Sequence, residues 1–228
     1  MTLGHPRELF WHSLRQDQRD TLMTMGTRLR FGPDEVLVRE SDSSTFAFVL
    51  LKGCVKVSAI GRHGYQAILG LRDAGELVGE LAGADGGLRS ATLTAMTDVE
   101  ALRLPAAQFG PFVRSDPEVA AMLRRTLSAR LREADLSRAA AGAESARQRL
   151  AALLLHLGQR YGDAQPGGEI VINLALSQHD LAGLALTSHR SLGRLLADLR
   201  RDNLVVTGRR RVVLIGIAEL TELADDGT

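Results

Sequence analysis

The sequence predicts an α+β chain in three parts: a strand-rich N-terminal part, one long helix, and a C-terminal pair of short helices followed by a basic hairpin. Three observations predict it. Apolar residues recur with period two from Arg28 to about Pro105. The period changes to 3.6 from Pro117 onward. Arginines then gather in the last third: residues 147–216 carry ten arginines against five acids.

Taken in order, residues 1–26 hold a short helical pattern at Leu14, Leu22 and Met25. Strands are expected at Arg28–Phe31, Val36–Val38, Phe46–Leu51, Val55–Ile60, Gln66–Leu71, Ala91–Ala95 and Val99–Leu104, separated by Gly and Asp/Ser/Pro clusters. Many short strands at such spacing suggest a barrel, a roll or a sandwich. Asp116 then caps a helix, Pro117 fits its first position, and Glu118 suits its positive end. Val119, Leu123, Leu127 and Leu131 form one stripe on this helix. Met122, Ala129, Leu136 and Ala143 form a second, at heptad spacing. Two stripes fit two tasks: packing on the strand-rich part and pairing with another long helix. Ala139–Ala141 and Gly142 mark an expected break before a further helix from Ser145 to Tyr161. A Pro/Gly loop and a short strand at Ile170–Leu174 lead into the C-terminal unit.

That unit carries the strongest functional signal. Ser177 caps a short helix, with Asp180 three residues on, a variant of the capping box. Leu181, Leu184 and Ala185 form its inner face. Thr187 or Ser188 caps the second helix, which buries Leu192, Leu195, Leu196 and Leu199. The opposite face shows His189, Arg190, Gly193 and Arg194. Such a face fits the major groove of B-DNA. Arg209, Arg210 and Arg211 follow on the hairpin, placed to meet phosphates.

Composition narrows the field further. The formal net charge is only +1, yet residues 1–146 balance and the last twelve residues carry four acids and no base. Only the segment between them is basic, so only that segment is expected to meet a polyanion. The acidic tail is expected to be a solvated end. The single cysteine, Cys54, excludes an internal disulfide and a one-chain four-thiolate cluster. It sits among Leu50, Leu51, Val55 and Val57 and is expected to be a buried small hydrophobe. There is no signal-peptide pattern and no run approaching ~20 apolar residues, so a cytoplasmic protein without membrane contact is expected. No nucleophile–base set, metal-spaced cluster or phosphate-loop motif is present, so no enzyme and no metal site is expected. His63, at a glycine-flanked hairpin tip, reads as a solvated turn residue and not a haem ligand; His156 reads as a packed or surface histidine.

One more motif lies among the strands: Gly79-Glu80-Leu81, followed by Arg89-Ser90-Ala91-Thr92. A helical turn after Gly79 offers backbone N–H groups to an anion. Arg89 can clamp a phosphate, Ser90 can add a hydroxyl donor, and Glu80 can accept from a ribose hydroxyl. With the order of strands, long helix and basic hairpin, these residues resemble the CRP/FNR family of bacterial transcription regulators over about residues 8–216. The resemblance implies a cyclic-nucleotide-binding-type antiparallel β-roll over residues 1–115, a dimerisation helix over 116–141 and a winged helix-turn-helix over 142–228. It implies an effector site at Gly79, Glu80, Leu81, Arg89, Ser90 and Ala91, with a cyclic nucleotide resembling cyclic AMP as ligand. The family's adenine-recognising hydroxyl positions fall on Ala134 and Asp135, so the phosphate end of the pocket is kept while the base end is altered. It implies DNA contacts from Ser177, Thr187, Ser188, His189, Arg190, Arg194, Arg209, Arg210 and Arg211. Of the family's base-reading Arg-Glu…Arg positions, Arg194 matches in kind and His189 and Arg190 do not. The implied partners are double-stranded DNA, a second copy of the chain and RNA polymerase. Two other readings stay open: the same fold with an empty or repurposed pocket, and a nucleotide-binding module that contacts protein and not DNA.

Overall fold

The computed structural model describes residues 9–61 and 66–225. His63 and Asp226 lie outside the described residues. The chain divides into two compact units, one ending at Glu133 and the other beginning at Ala134.

The first unit opens with α1 (Phe10–Ser13) and α2 (Gln16–Met25). Strands β1 (Thr27–Phe31), β2 (Val36–Val38), β3 (Ala47–Lys52), β4 (Cys54–Ile60), β5 (Gln66–Asp73) and β6 (Leu77–Val78) follow. The short α3 (Glu80–Asp85) precedes β7 (Thr92–Ala95), β8 (Val99–Leu104), α4 (Ala106–Ser115) and the long α5 (Pro117–Ala143). Two four-stranded antiparallel sheets result, ordered β1-β8-β3-β6 and β2-β7-β4-β5.

The period-two pattern explains why β3 sits at the centre. Phe48 and Leu50 point into one apolar cluster with Leu37, Val55, Leu93 and Val99. Ala47 and Val49 point into a second, with Phe10, Leu22, Leu77 and Leu104. β8 pairs along β3, Val49 opposite Leu102 and Leu50 opposite Ala101, and splits its residues the same way. Burying a leucine fully, as at Leu22, Leu50 and Leu104, stabilises by about 1.5–3 kcal/mol. Cys54 is buried, as the sequence suggests.

Asp116 caps α5, its Oδ1 accepting from the N–H groups of Glu118 and Val119 at 2.9 and 3.2 Å. Its other oxygen accepts from Gln18 at 2.7 Å, which fixes α2 against the start of α5. Met122 is 6% exposed and packs in the core beside Val119, so it does not belong to a free second stripe. Farther along α5, Ala129, Leu136 and Ala143 are exposed, Leu136 at 64%. The expected break at Ala139–Gly142 does not occur. Alanine is the strongest helix former and one glycine costs only about 1 kcal/mol, so α5 runs on to Ala143. It stops before Ser145, which caps the next helix through Gln148.

The second unit continues from the end of α5 with α6 (Ala146–Tyr161), β9 (Gly162–Ala164), β10 (Ile170–Ile172), α7 (Gln178–Leu184) and α8 (His189–Arg201). It ends with β11 (Val205–Gly208), β12 (Arg211–Leu214) and α9 (Ile217–Asp225). Its sheet runs β11-β12-β10-β9. The acidic end is not a solvated tail over its described part: it forms α9, whose Leu220 is fully buried and which packs on α6. Glu219 and Glu222 remain exposed on its outer side. No described helix is long and apolar enough to cross a membrane.

Candidate functional site

Two surfaces carry polar chemistry. The first follows β6. Gly79 adopts φ 72°, ψ 14°, the left-handed region, and turns the chain into α3. A Cβ there would stand 2.9 Å from Nη1 of Arg89, so the turn needs glycine both for its backbone and for space.

Arg89 is buried at 3% exposure. Its guanidinium donates through Nε to Ser44 Oγ at 3.0 Å, through Nη1 to the Gly79 carbonyl and through Nη2 to the Phe46 carbonyl at 2.6 Å. It also lies over the Phe46 ring at 4.7 Å. Burial pulls its pKa below the usual arginine value, and the charges of Asp42 and Glu80 oppose that pull. The group stays cationic, with two of its five N–H donors beyond those three contacts.

Glu80 is buried as well. Oε1 accepts from Arg130 Nη1 at 2.8 Å, while Oε2 is buried without a hydrogen-bond partner. Arg130, on α5, also donates to the Leu77 carbonyl and lies 3.6 Å from Glu76, which lies 3.5 Å from Arg72. The motif therefore holds a cation at Arg89 and an acceptor at Glu80 that can take one more hydrogen bond. An anion bearing a hydroxyl group is the chemical complement. Leu81 and Ser90 are exposed and Ala91 is half-buried. Ala134 and Asp135 belong to the second unit; Asp135 is exposed and accepts from Arg138 at 2.9 Å. Sequence reading missed Arg130, Glu76 and Arg72. Arg130 had a usable signal: it continues the stripe of Val119, Leu123 and Leu127, and a cation on an apolar stripe needs an acid partner.

The second surface is built by α7 and α8. Ser177 Oγ accepts from the Asp180 N–H at 3.1 Å, and the Asp180 carboxylate accepts from the Ser177 N–H and hydroxyl. The Ser177 hydroxyl is thereby engaged within the cap. The turn between the helices places Leu186 at φ 51°. Arg149, from α6, holds this turn: it donates to the carbonyls of Ala185 and Leu186, each at 3.1 Å, and to that of Glu144. Of the two cap candidates for α8, Ser188 takes the role, accepting from the Ser191 N–H at 3.1 Å. Thr187 instead donates its N–H to the Ala182 carbonyl.

Leu192, Leu196 and Leu199 anchor α8 in the core. His189, Arg190 and Arg194 face solvent, and Gly193 stands in open space. His189 stacks on His179 of α7, ring centroids 4.3 Å apart and planes 21° apart. Arg200 donates to Thr207, linking α8 to β11. The β11–β12 hairpin turns at Arg209–Arg210, closed by the pair Gly208 and Arg211. Arg209, Arg210 and Arg211 are all exposed, and Arg210, at φ 52°, donates through Nε to the Ala175 carbonyl at 3.0 Å.

Comparisons with known proteins agree with this geometry. Residues 28–116 match the family model of the cyclic nucleotide-binding domain, and residues 148–223 match that of the Crp-like helix-turn-helix domain. The chain is 31% identical over 215 residues to the cyclic AMP receptor protein of Thermus thermophilus, covering 94% of this chain and 95% of that protein. It is 28% identical over 159 residues to a CRP-like cAMP-activated global transcriptional regulator of Mycobacterium tuberculosis, covering 70% of each. In structure it resembles a CRP/FNR-family transcriptional regulator from Thermus thermophilus, with a TM-score of 0.75 over 89% of this chain and 100% of that one, at 24% identity.

Proposed function

The chain belongs to the CRP/FNR family of transcription regulators, and from that premise we propose that it is a homodimeric, sequence-specific DNA-binding regulator, not an enzyme, controlled by a small anionic effector. In this reading residues 1–115 sense the effector, 116–141 dimerise and 142–228 bind DNA. One observation carries the DNA reading: α8 is anchored by leucines on one side and presents His189, Arg190 and Arg194 on the other. Arg194 reads a base, since arginine pairs bidentately with guanine. Arg209, Arg210 and Arg211 contact phosphates and set affinity without setting sequence. Ser177, Thr187 and Ser188 contribute at the helix starts, chiefly through backbone geometry. Arg190, where the family has glutamate, replaces an acceptor with a cation and shifts the preferred half-site. A cytoplasmic location and contact with RNA polymerase complete the proposal.

For the effector, Gly79, Glu80, Leu81, Arg89, Ser90 and Ala91 form the phosphate and ribose end, and a cyclic nucleotide fits it. The buried, unpartnered Oε2 of Glu80 supports a ligand hydroxyl there. Ala134 and Asp135 replace the family's hydroxyl positions, so base preference is expected to differ. A second reading, the same regulator with no nucleotide bound, is favoured by the engagement of Arg89 with Ser44, Gly79 and Phe46. A thermal-shift screen against cyclic nucleotides separates the two, because a ligand of the native state raises its melting temperature.

The DNA reading is tested by selecting sites from random duplexes and titrating binding against salt. Arg194→Ala is expected to relax one or two positions of the selected site. Arg209→Ala is expected to weaken all sites alike and lower the salt slope by about one. An unchanged selected sequence in Arg194→Ala would remove α8 from the role of reading helix. Salt-independent binding would favour a protein partner.

A further inference from the structure

The proposed function places His189 on the DNA-reading face of α8 but gives no task to the stack that His179 makes on it. His189 is the first residue of α8, so no preceding helical turn restrains its side chain. An exposed ring in that position is free to change rotamer. Here it is held face to face by His179, at 4.3 Å between centroids. The backbone that carries His179 is fixed, although its ring, like that of His189, is exposed. His179 lies in the first turn of α7, which the reciprocal Ser177–Asp180 cap closes on both sides. Leu181, farther along α7, and Leu192 on α8 are both buried.

Stacking covers one face of the His189 ring and leaves its edge and other face open. A neutral imidazole edge carries one donor and one acceptor, enough to recognise one base edge in the major groove. We propose that His179 is a positioning residue: it stacks on His189, which already stands at a base-reading position, and holds the His189 ring edge toward one base pair of each half-site. The inference rests on the reading of α8 as the DNA-reading helix. Preorganisation acts by removing the cost of ordering a side chain on binding. For one imidazole, loss of the stack is worth about a two- to tenfold loss of discrimination at that base pair.

The test is site selection from a random duplex library with the full chain, with and without cyclic AMP, followed by affinity measurements on the winning site and its single-base variants. Wild type, His189→Ala, His179→Ala and His179→Phe are compared. His189→Ala is expected to flatten the preference at one position per half-site. His179→Ala is expected to weaken that same preference about two- to tenfold, with the other positions and the salt slope unchanged. His179→Phe, which keeps a stacking face but no polar edge, is expected to restore it. Full preference in His179→Ala would overturn the proposal. So would a His179→Phe protein as weak as His179→Ala, since the edge of His179 would then be making the contact itself. A wild-type protein that enriches no sequence under either condition overturns the DNA-reading assignment and this inference with it.

Discussion

Replacing Gly193 by alanine is expected to move stability and DNA affinity in opposite directions. Gly193 is the fifth residue of α8, inside the helix. Glycine there costs about 0.8–1.0 kcal/mol relative to alanine, because it has more backbone freedom to lose on folding. Packing within the chain does not require that cost: a Cβ at Gly193 meets no atom within 4 Å beyond its chain neighbours and the backbone of its own helix. Nothing inside the protein opposes the gain, so Gly193→Ala should be more stable by about 1 kcal/mol. For a chain of this length that raises the melting temperature by about 2–4 °C.

The added methyl projects from the same helix face as Arg190 and Arg194. If that face seats against a duplex, the methyl intrudes into a packed interface, and overpacking costs about 1–3 kcal/mol. The expected loss in affinity is therefore roughly five- to hundredfold. Scanning calorimetry and fluorescence anisotropy on a selected duplex measure the two effects on one preparation. A variant that melts higher and binds DNA as tightly as wild type would refute the placement of this face on DNA. A variant that melts lower would refute the open geometry at Gly193.

Two further substitutions test other parts of the chain. Arg89→Ala removes the donors to Ser44, Gly79 and Phe46, so it should destabilise the N-terminal unit by about 1–3 kcal/mol in chemical unfolding; if a cyclic nucleotide binds wild type, calorimetry should show a roughly tenfold to hundredfold weaker complex, and equal affinity would exclude the phosphate clamp. Leu136→Glu, at a position 64% exposed, should leave the fold intact and give monomers in light scattering, and a wild-type monomer at micromolar concentration would remove the dimer; Met122→Glu is unsuitable for this test because Met122 is core.

Much of the fold was legible because burial imposes period on sequence. Val36–Val38 and Val99–Leu104 keep their expected bounds, and the remaining expected strands shift by one or two residues at their ends. The caps at Asp116 and Ser177 were legible, and that of α8 to within Thr187 or Ser188, because a short polar side chain before an apolar stripe has one favoured task, whereas Ser145, expected as the first helical residue, is the cap of α6. Among the shortest strands, β2 (Val-Leu-Val) and β10 (Ile-Val-Ile) were legible by their β-branched residues, whereas β9 (Gly-Asp-Ala) has none and β6 has only two residues. α9 was hidden for another reason. Its three acids dominate composition, while the residue that places it, Leu220, needs the surface of α6 to reveal its role.

The effector motif marks where sequence reasoning stops, and the cause is desolvation. Arg72 and Glu76 stand four apart, a spacing that on an exposed helix would be a weak surface pair. Here they lie at the end of β5 and just before β6, at 8% and 6% exposure, and continue through Arg130 to Glu80. Two carboxylates and Arg72 are thus withdrawn from water together, with Arg130 partly exposed beside them. A buried ion pair is costly to break from one side, because the partner is left as an unpaired buried charge. Glu80 is consequently bound to α5 through Arg130, not simply presented to a ligand by its own turn. A count of charges in the sequence gives the same total whether the four are hydrated or not. Only the fold decides that they face one another, and so makes the glutamate of the Gly-Glu-Leu motif and the arginine of the long helix one electrostatic unit.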